Sequence, residues 1–371
     1  MTLGTSHGQA DSLLLEEPLI VESHLGPGQM RISAAAAAHA NGTRPIVFIG
    51  VWTRFPEPSP CSGGAADTTA AANTAAAHKA RRAAARASWV AGIKALQGQV
   101  VEYRFVAPEP SGPLGRAQLD AEMREHGDVW VLPSSAAGAA AKTTDADGPA
   151  VTAAAAAARR NRRVKSHSRR TLSGGTDCRA TRGVSPDLLR RFYVRVLDEY
   201  DSVEWIVQMS EGAAVLPQRL LCALDQYAAM GADYVGCMAY GPVPASDPLA
   251  FMLAAHYPLH AVGPAVLSAR AVRDVVVAGY DMLRLEGRMD VVLGLWMLTS
   301  NVSYYDDQRL CQAARCGPAT VGLYHPESGP LPAHDLAQAY GNPDCGGGAC
   351  PLPYLRSPAE NLDDFFGSMR V

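Results

Sequence analysis

The chain has 371 residues, a formal net charge of −3 and 48% hydrophobic residues. This length is sufficient for one large domain or two small ones, and the near-neutral charge argues against a dedicated nucleic-acid-binding protein. No run of about 20 apolar residues is present, so the sequence predicts no membrane-spanning helix. The N-terminus also lacks the basic start and unbroken apolar core of a signal peptide, because Glu16 and Glu17 interrupt its apolar residues.

The first part of the chain alternates between strand and helix patterns. Residues 1–43 are predicted to be a poorly structured leader, and the first strand, at 45–52, is apolar and β-branched. Residues 55–77 are rich in Pro and then in Ala, Thr and Gly, which predicts a flexible insertion. Helices are predicted at 78–98 and 115–126, and strands at 101–106 and 128–132.

A second low-complexity segment spans residues 134–183. It is rich in Ala and Gly, then strongly basic between Arg159 and Arg170, and it has almost no large apolar side chains. We interpret it as a disordered insertion, because it cannot bury enough apolar surface to fold. A basic arm that binds polyanions is the alternative interpretation.

Ordered patterns resume at Pro186. A helix, a strand, a turn, a helix and a strand are predicted at 186–200, 203–209, 210–214, 216–230 and 234–238. Alternating helices and strands predict an α/β fold, with a mostly parallel central sheet flanked by helices. Such sheets bind ligands at the carboxyl ends of their strands, where we expect the turn at 210–214.

The segment 257–296 combines a strand, a helix and an isolated acid. Residues 260–268 predict a buried strand, and Ser268 is a candidate N-cap for a helix that runs to about residue 280. Asp290 directly precedes an apolar run. We interpret it either as a catalytic base or as a helix N-cap, and expect it to approach the same edge of the sheet.

The cysteines point to an oxidising compartment. Four of the eight form two close pairs in the sequence, Cys311 with Cys316 and Cys345 with Cys350. Such pairs are typical of disulfides, whereas the alternative of a zinc site has no CxxC spacing to support it. We therefore expect a protein of a secretory lumen, with any membrane anchor upstream of this chain. Residues 331–371 are predicted to be a Cys- and Pro-rich extension.

Seven short motifs occur in a characteristic order. They include an Arg-Arg-Ala-Ala-Ala-Arg-Ala-Ser-Trp block that begins at Arg81, a Tyr-Pro segment that contains Gly263, and Met-Asp-Val-Val-Leu-Gly around Asp290. The full set lies at 81–89, 103–107, 122–130, 205–217, 232–236, 257–268 and 289–294. In this order the motifs resemble the β-1,3-glycosyltransferases of glycosyltransferase family 31, over roughly residues 81–300 without the basic insertion.

The resemblance implies a single GT-A-like domain at 44–330 in the Golgi lumen. It implies transfer of a hexose, of the galactose or N-acetylglucosamine type, from a UDP-sugar to a glycan or glycoprotein acceptor. The transfer would invert the anomeric configuration and form a β-1,3 linkage. By the same resemblance Asp290 is the expected catalytic base, and the expected substrate-binding residues are Arg81, Arg82, Arg86, Glu211 and Gly263.

The metal-binding turn of that family differs in this chain. The family holds Mn²⁺ through an Asp-Asp-Asp turn, and those positions read Ser210, Glu211 and Gly212 here. Gly212 has no side chain, and Glu211 alone is expected to be a weak ligand, because hard cations prefer several carboxylate oxygens. Arginines of the first motif are the alternative partners for a diphosphate. Two further hypotheses are a non-catalytic protein of the same fold that binds a glycan or a partner glycosyltransferase, and polyanion binding by residues 159–170.

Several of these residues also have simpler interpretations. The three arginines fit the exposed face of an Ala-rich helix, and Trp89 fits the core. Glu122 and Asp128 are predicted to be surface or helix-capping residues. Asp306 and Asp307 are interpreted either as a functional carboxylate pair or as part of a solvated loop.

Overall fold

The computed structural model describes most of the expected domain. The described residues are 46–55, 65–96, 100–133, 185–243, 259–298, 301–312, 316–324 and 331–346. The predicted leader, the basic insertion at 134–183 and the chain beyond residue 346 lie outside them. Within the described ranges, no helix combines the length and apolar character that a bilayer crossing requires.

A mixed β-sheet forms the centre of the structure. The described strands are β1 (Val47–Trp52), β2 (Val101–Pro108), β3 (Val129–Leu132), β4 (Trp205–Ser210), β5 (Ala214–Val215), β6 (Tyr234–Ala239), β7 (His260–Ser268), β8 (Tyr304–Asp306) and β9 (Gly322–Leu323). Seven of them form one sheet in the order β3-β2-β1-β4-β7-β6-β8, and β5 pairs with β9 in a small antiparallel sheet. In the large sheet β7 runs antiparallel to both of its neighbours, and the other neighbouring pairs are parallel. The predicted α/β fold with a mostly parallel sheet is confirmed.

Helices cover both faces of this sheet. They are α1 (Ala65–Ala87), α2 (Trp89–Ala95), α3 (Pro113–His126), α4 (Pro186–Glu199), α5 (Pro217–Ala229), α6 (Ala269–Ala271, continued by a π-helical turn at Val272–Val277), α7 (Met289–Leu298), α8 (Ala333–Tyr340) and α9 (Pro343–Gly346). The predicted cap of α6 is present, because the Ser268 hydroxyl accepts a hydrogen bond of 3.0 Å from the Ala271 amide.

The first helix begins earlier than the sequence predicted. Residues 65–77 were expected to be part of a flexible insertion, but α1 starts at Ala65 and includes them. The expectation was wrong for these residues. The alanine content of the segment explains the helix, because alanine has the highest helix propensity and loses no side-chain entropy in a helix. The predicted single helix at 78–98 is also divided at Ser88 into α1 and α2.

Alternate residues of the central strands supply two separate apolar layers. Val47, Ile49 and Val51 of β1 belong to the layer beneath α1, α2 and α5. Phe48 and Trp52 belong to the layer beneath α4, α6 and α7. This alternation is the period of two expected of a strand that is buried on both faces. The prediction that Trp89 is a core residue is confirmed, since its side chain is fully buried within the first layer.

Disulfides are present, but they do not follow the pairs that are close in sequence. Cys311 is bonded to Cys237 of β6, and Cys316 is bonded to Cys345 of α9. The suggested pairing of Cys311 with Cys316 is therefore wrong. The reason is topological, because β8 runs beside β6 and brings the segment that follows it to the end of that strand. Cys222 of α5 is also disulfide-bonded.

Candidate functional site

Two parallel strands end side by side at one edge of the sheet. Trp52, the last residue of β1, is paired with Ser210, the last residue of β4. The segments that follow, residues 53–55 and 210–212, form what we call the carboxyl edge. The amide of Glu211 donates a hydrogen bond of 3.1 Å to the carbonyl of Trp52, which connects the turn to β1. The predicted turn therefore lies at the edge where α/β proteins bind ligands.

Glu211 turns its side chain toward α1, where it is surrounded by donors. Its residue is 3% exposed, although glutamate is rarely buried without partners. The Thr53 hydroxyl donates to Oε2, and Nδ1 of His78 contacts Oε1. Two guanidinium groups lie slightly farther away, with Arg81 at 3.6 Å and Arg82 at 3.7 Å from the carboxylate. Glu211 is thus the acceptor at the centre of a basic group of residues.

Arg82 and Arg86 are held in a second layer of ion pairs. Arg82 makes a bidentate contact with Glu122, through hydrogen bonds of 2.7 and 2.6 Å, and also donates to the Thr53 hydroxyl at 2.8 Å. Arg86 bonds Glu122 at 2.7 Å and both oxygens of Asp128 at 2.8 Å. The guanidinium groups of both arginines are therefore occupied by protein carboxylates.

This second layer corrects two sequence interpretations. Glu122 and Asp128 are not surface or capping residues, because both are buried, with exposed fractions of 7% and 6%. The three arginines do not form an exposed helix face either, because Arg82 is 2% exposed. These ion pairs link α1 to Glu122 of α3 and to Asp128 before β3, so that opposite charges meet inside the protein.

The protonation states follow from these contacts. Burial by itself would raise the pKa of Glu122, but hydrogen bonds and charge from Arg82 and Arg86 outweigh burial, and the pKa is lowered. The pKa of Asp128 is lowered in the same way, with burial opposed by Arg86 and by a hydrogen bond of 3.1 Å from the Tyr103 hydroxyl. Both carboxylates are consequently charged at neutral pH.

The residues of the turn do not fit a divalent cation. Both oxygens of Glu211 already accept protein donors, and two arginines lie within 4 Å of that carboxylate. Gly212 supplies no side chain, and its carbonyl accepts a hydrogen bond of 2.9 Å from the Leu331 amide. In the described part of the chain, no group of three or more His, Cys, Asp or Glu side chains is arranged to hold a metal ion. Mn²⁺ and Mg²⁺ need several oxygen ligands, which this turn does not provide.

Asp290 lies in the first turn of α7, on the other face of the sheet. Its side chain is 27% exposed and forms an ion pair with Arg288, whose Nη2 and Nε lie 2.5 and 3.2 Å from the carboxylate oxygens. The carboxylate also accepts a hydrogen bond of 2.9 Å from the amide of Val291. This carboxylate is oriented by two donors while part of it faces solvent.

Gly263 and Tyr324 form the surroundings of Asp290. Gly263 has φ +83°, a left-handed conformation that glycine adopts readily, and it lies where the pairing of β6 with β7 is irregular. A Cβ atom at Gly263 would lie 2.7 Å from the Tyr324 ring, so the ring covers the glycine directly. Burial raises the pKa of Tyr324, and the charge of Asp290 raises it further, which indicates that the two side chains lie near each other.

The same face of the sheet carries buried polar atoms without a hydrogen-bond partner among the described residues. Nε1 of Trp52, Oε1 of Gln208 and Oγ of Ser210 are buried and make no hydrogen bond to any described residue. They are neighbours in the sheet, since Trp52 pairs with Ser210 and Gln208 lies two residues before Ser210 in β4. Buried polar groups are usually hydrogen-bonded, so these donors and acceptors suit a polar ligand or water.

The second candidate acid pair has a structural role. Asp307 is fully buried and is bonded by the Tyr227 hydroxyl at 2.5 Å and by Arg309 at 2.6 to 3.0 Å. Asp306 is 9% exposed and accepts the amide of Met238 at 2.9 Å. The interpretation as a solvated loop is wrong, because β8 inserts these residues beside β6.

Sequence reasoning missed three residues of the site. Thr53 directly follows a strand that ends at the carboxyl edge, so its position could have identified it. His78 lies four residues before Arg82 and eight before Arg86, which places it on the same face of α1. Tyr324 had no comparable signal, because it follows β9 directly and lies far in sequence from Gly263, which its ring covers.

Comparison with known proteins gives partial relatives. No protein-family model matches the chain. It is 32% identical over 160 residues to the probable β-1,3-galactosyltransferase 13 of Arabidopsis thaliana. The matched region covers 39% of this chain and 46% of that protein. The chain is 30% identical over 128 residues to the probable β-1,3-galactosyltransferase 12 of the same plant, covering 33% of this chain and 34% of that protein. The chain therefore matches less than half the length of these curated relatives. The helix-flanked, mostly parallel sheet is consistent with a GT-A-like glycosyltransferase fold.

Proposed function

We propose that the protein is an inverting glycosyltransferase of family 31, which moves a hexose from a UDP-sugar to a glycan or glycoprotein acceptor. The observation that carries the proposal is the oriented, partly exposed carboxylate of Asp290. It is supported by the partial sequence similarity of the chain to two proteins named probable β-1,3-galactosyltransferases. The galactose or N-acetylglucosamine donor and the β-1,3 linkage belong to the proposal through the family resemblance.

The proposed reaction gives Asp290 the role of general base. As the acceptor oxygen attacks the anomeric carbon of the donor, Asp290 takes the proton of the acceptor hydroxyl. The bond from the anomeric carbon to the diphosphate oxygen breaks on the opposite side, and UDP leaves with that electron pair. Arg288 orients the carboxylate by donating to both of its oxygens. A positioned base of this kind is worth about 10²- to 10⁴-fold in rate.

The unpartnered polar atoms support the binding of a sugar. A hexose presents several hydroxyl groups, each of which donates and accepts hydrogen bonds. The indole N–H of Trp52, the Gln208 carbonyl and the Ser210 hydroxyl offer one donor, one acceptor and one group that does both. Their face of the sheet is the one that α7 and Asp290 cover.

The disulfides support a place in the secretory pathway. Disulfides form and persist in oxidising compartments and are rare in the cytosol. The bonds of Cys237 with Cys311 and of Cys316 with Cys345 are therefore expected of an enzyme in the Golgi lumen. A UDP-sugar and a glycan are the partners that follow from this location and from the reaction.

The test is an assay of transfer and donor hydrolysis with a panel of UDP-sugars and glycan acceptors. We expect turnover with at least one donor, and a loss of about 10²- to 10⁴-fold in kcat for Asp290→Asn. Asp274→Asn is the matched control, because Asp274 is 62% exposed and pairs with Arg270 at 3.7 Å on the same side of the fold. Unchanged turnover in Asp290→Asn would remove the proposed base, and no turnover with any donor would count against an enzyme.

A non-catalytic protein is the second candidate function. The turn at 210–212 favours it, because Gly212 has no side chain and the oxygens of Glu211 are occupied. This candidate predicts glycan binding without transfer or donor hydrolysis. Detectable turnover that Asp290→Asn abolishes would exclude it. Polyanion binding stays a prediction, since the basic insertion lies outside the described residues.

A further inference from the structure

We propose that the protein binds the diphosphate of its nucleotide without a metal ion, through Arg81 and His78 of α1, with Glu211 as the acceptor that holds them in place. The inference rests on the proposed function, because it names the groups that bind the leaving UDP. It gives Glu211 a positioning role and leaves the diphosphate to the side chains of Arg81 and His78.

The arginines around Glu211 differ in how closely they are paired with carboxylates. Arg82 and Arg86 are matched by Glu122 and Asp128, which they contact at 2.6 to 2.8 Å. Arg81 has no such match. It approaches Glu211 at 3.6 Å, and it makes no hydrogen bond to any described residue. Its Nε is among the buried polar atoms that lack a partner. A partly exposed guanidinium whose donors are not used by any described residue is suited to an anion.

Side-chain exposure also distinguishes Arg82 from Arg81 and His78. The side chain of Arg82 is 3% exposed, whereas the side chains of Arg81 and His78 are 22% and 20% exposed. Arg82 is therefore sealed inside the protein, and the other two reach the surface at the carboxyl edge. Arg81 and His78 are three residues apart in α1, a spacing that places two side chains next to each other on a helix.

Glu211 fixes the orientation of His78. Its Oε1 is in contact with Nδ1 of the imidazole, and its Oε2 accepts the hydroxyl of Thr53. With Nδ1 directed at the protein, Nε2 is directed away from the carboxylate, and it makes no hydrogen bond to any described residue. Nε2 of His78 and the guanidinium of Arg81 thus lie on the same side of α1. The two groups together can face one anion, as an arginine or lysine pair does when it binds phosphate.

The position matches the need of the reaction. The diphosphate gains negative charge as the bond to the sugar breaks, and fixed positive groups stabilise that charge. The carboxyl edge separates the two chemical roles, with the base Asp290 on the α7 face and the cationic side chains on the α1 face. The turn at 210–212 lies between these faces, where the donor would cross from one to the other.

The experiment is titration calorimetry of the full chain with UDP, first in EDTA and then with Mn²⁺. We expect UDP to bind in EDTA with a similar Kd in both conditions, and Arg81→Ala to weaken binding by about 10- to 100-fold, or about 1.4–2.8 kcal/mol. Lys79→Ala is the matched control, because Lys79 is exposed on the same helix and its substitution also removes one positive charge. We expect it to leave the Kd nearly unchanged, and Arg81→Lys to restore part of the affinity.

The outcomes test the metal-free UDP site separately from the proposed glycosyltransferase function. Binding that requires Mn²⁺ and disappears in EDTA would overturn the metal-free site, while leaving the glycosyltransferase proposal in place. Equal effects of Arg81→Ala and Lys79→Ala would also overturn it, because they would show general charge attraction. Absence of UDP binding in both conditions would reject the site together with UDP as the leaving group. The melting temperature of Arg81→Ala, expected to equal that of the wild type, excludes unfolding as the cause of weaker binding.

Discussion

At the scale of single residues, the unusual feature is a buried set of charges. Arg82 lies between Glu122 and Thr53 with almost no exposure, and Arg86 joins Glu122 to Asp128. Removing charges from water is unfavourable by several kcal/mol per ion, and close opposite charges offset this only while the set is complete. The set therefore makes the position of α1 sensitive to the loss of any one member.

Glu122→Gln should destabilise the protein by about 3–5 kcal/mol, because it removes the charged bidentate partner of the buried Arg82 and leaves only the more distant carboxylate of Glu211 at 3.7 Å. Chemical denaturation measures this as a change in the free energy of unfolding. Glu199→Gln is the control, since Glu199 pairs with Arg195 at an exposed site where side chains are 42% and 35% accessible. We expect a change of less than about 1 kcal/mol there.

Acid should reduce the difference between wild type and Glu122→Gln. The pKa of Glu122 is lowered in the folded state, so its stabilising contribution is present above its ordinary pKa of 4.5 and is lost as the pH falls through the lowered value. Denaturation at pH 7 and at several values below 4.5 would show the difference shrinking. A constant difference across that range would indicate that the amide disturbs packing rather than charge.

The sequence predicted the residues of this site only in part. The position of Asp290 before an apolar run, and of Glu211 after a strand, both follow from local patterns. The partnership of Arg82 with Glu122 does not, because the two residues are 40 positions apart and each also fits a solvated helix face. Their burial depends on how α1 and α3 pack on the sheet, which local patterns do not encode.

At the scale of elements, the approach of α7 to β7 determines where Asp290 lies. Gly294 is the contact point, because a Cβ atom there would lie 2.6 Å from the carbonyl oxygen of Leu259 and 2.8 Å from the Cβ of His260. Glycine thus permits a close contact between the helix and the start of the strand. The first turn of α7 consequently lies near Gly263 and Tyr324.

Gly294→Ala should destabilise the protein, even though alanine is the better helix former. The gain in helix propensity is about 1 kcal/mol, whereas forcing an extra methyl group into a packed contact costs about 1–3 kcal/mol. We expect a net loss of up to about 2 kcal/mol in denaturation, and lower turnover because α7 must shift. Gly317→Ala is the control, since its nearest atom would be 3.9 Å away. A stabilised Gly294→Ala would show that the contact relaxes freely.

The elements themselves were largely predictable. Strand signals at β1, β2, β4 and β6 are runs of apolar and β-branched residues, which report burial directly. The order of strands in the sheet could not be predicted from such local patterns. The antiparallel placement of β7 between β4 and β6 depends on pairings between residues that are 21 to 63 positions apart, counted from Ala239 to His260 and from Trp205 to Ser268.

At the scale of the whole molecule, the last described segments are fastened beneath the site. Cys316 is bonded to Cys345, and Arg219 of α5 donates to the carbonyls of Gly317, Thr320 and Asp344 at 2.5 to 3.1 Å. The segment between the cysteines also supplies Leu331, whose amide bonds the turn at Gly212. The end of the fold is therefore connected to the carboxyl edge.

Removal of this disulfide should destabilise the protein by about 3–4 kcal/mol, the value expected for closing a loop of this size in the unfolded chain. The loop spans 29 residues. The double variant Cys316→Ser with Cys345→Ser, measured against wild type by thermal unfolding, tests this. Reductant should then lower the melting temperature of the variant less than that of the wild type. An unchanged melting temperature in the variant would show that Arg219 alone holds the segment.

The central position of β1 makes the site bipartite. β1 lies between β2, from its own half of the chain, and β4, from the half that follows residue 184. The first half contributes His78 and Arg81, and the second contributes Glu211 and Asp290. Neither half contains a complete set of these groups. The pairing of Trp52 in β1 with Ser210 in β4 joins the two parts, so the site depends on a contact between segments that are far apart in the sequence.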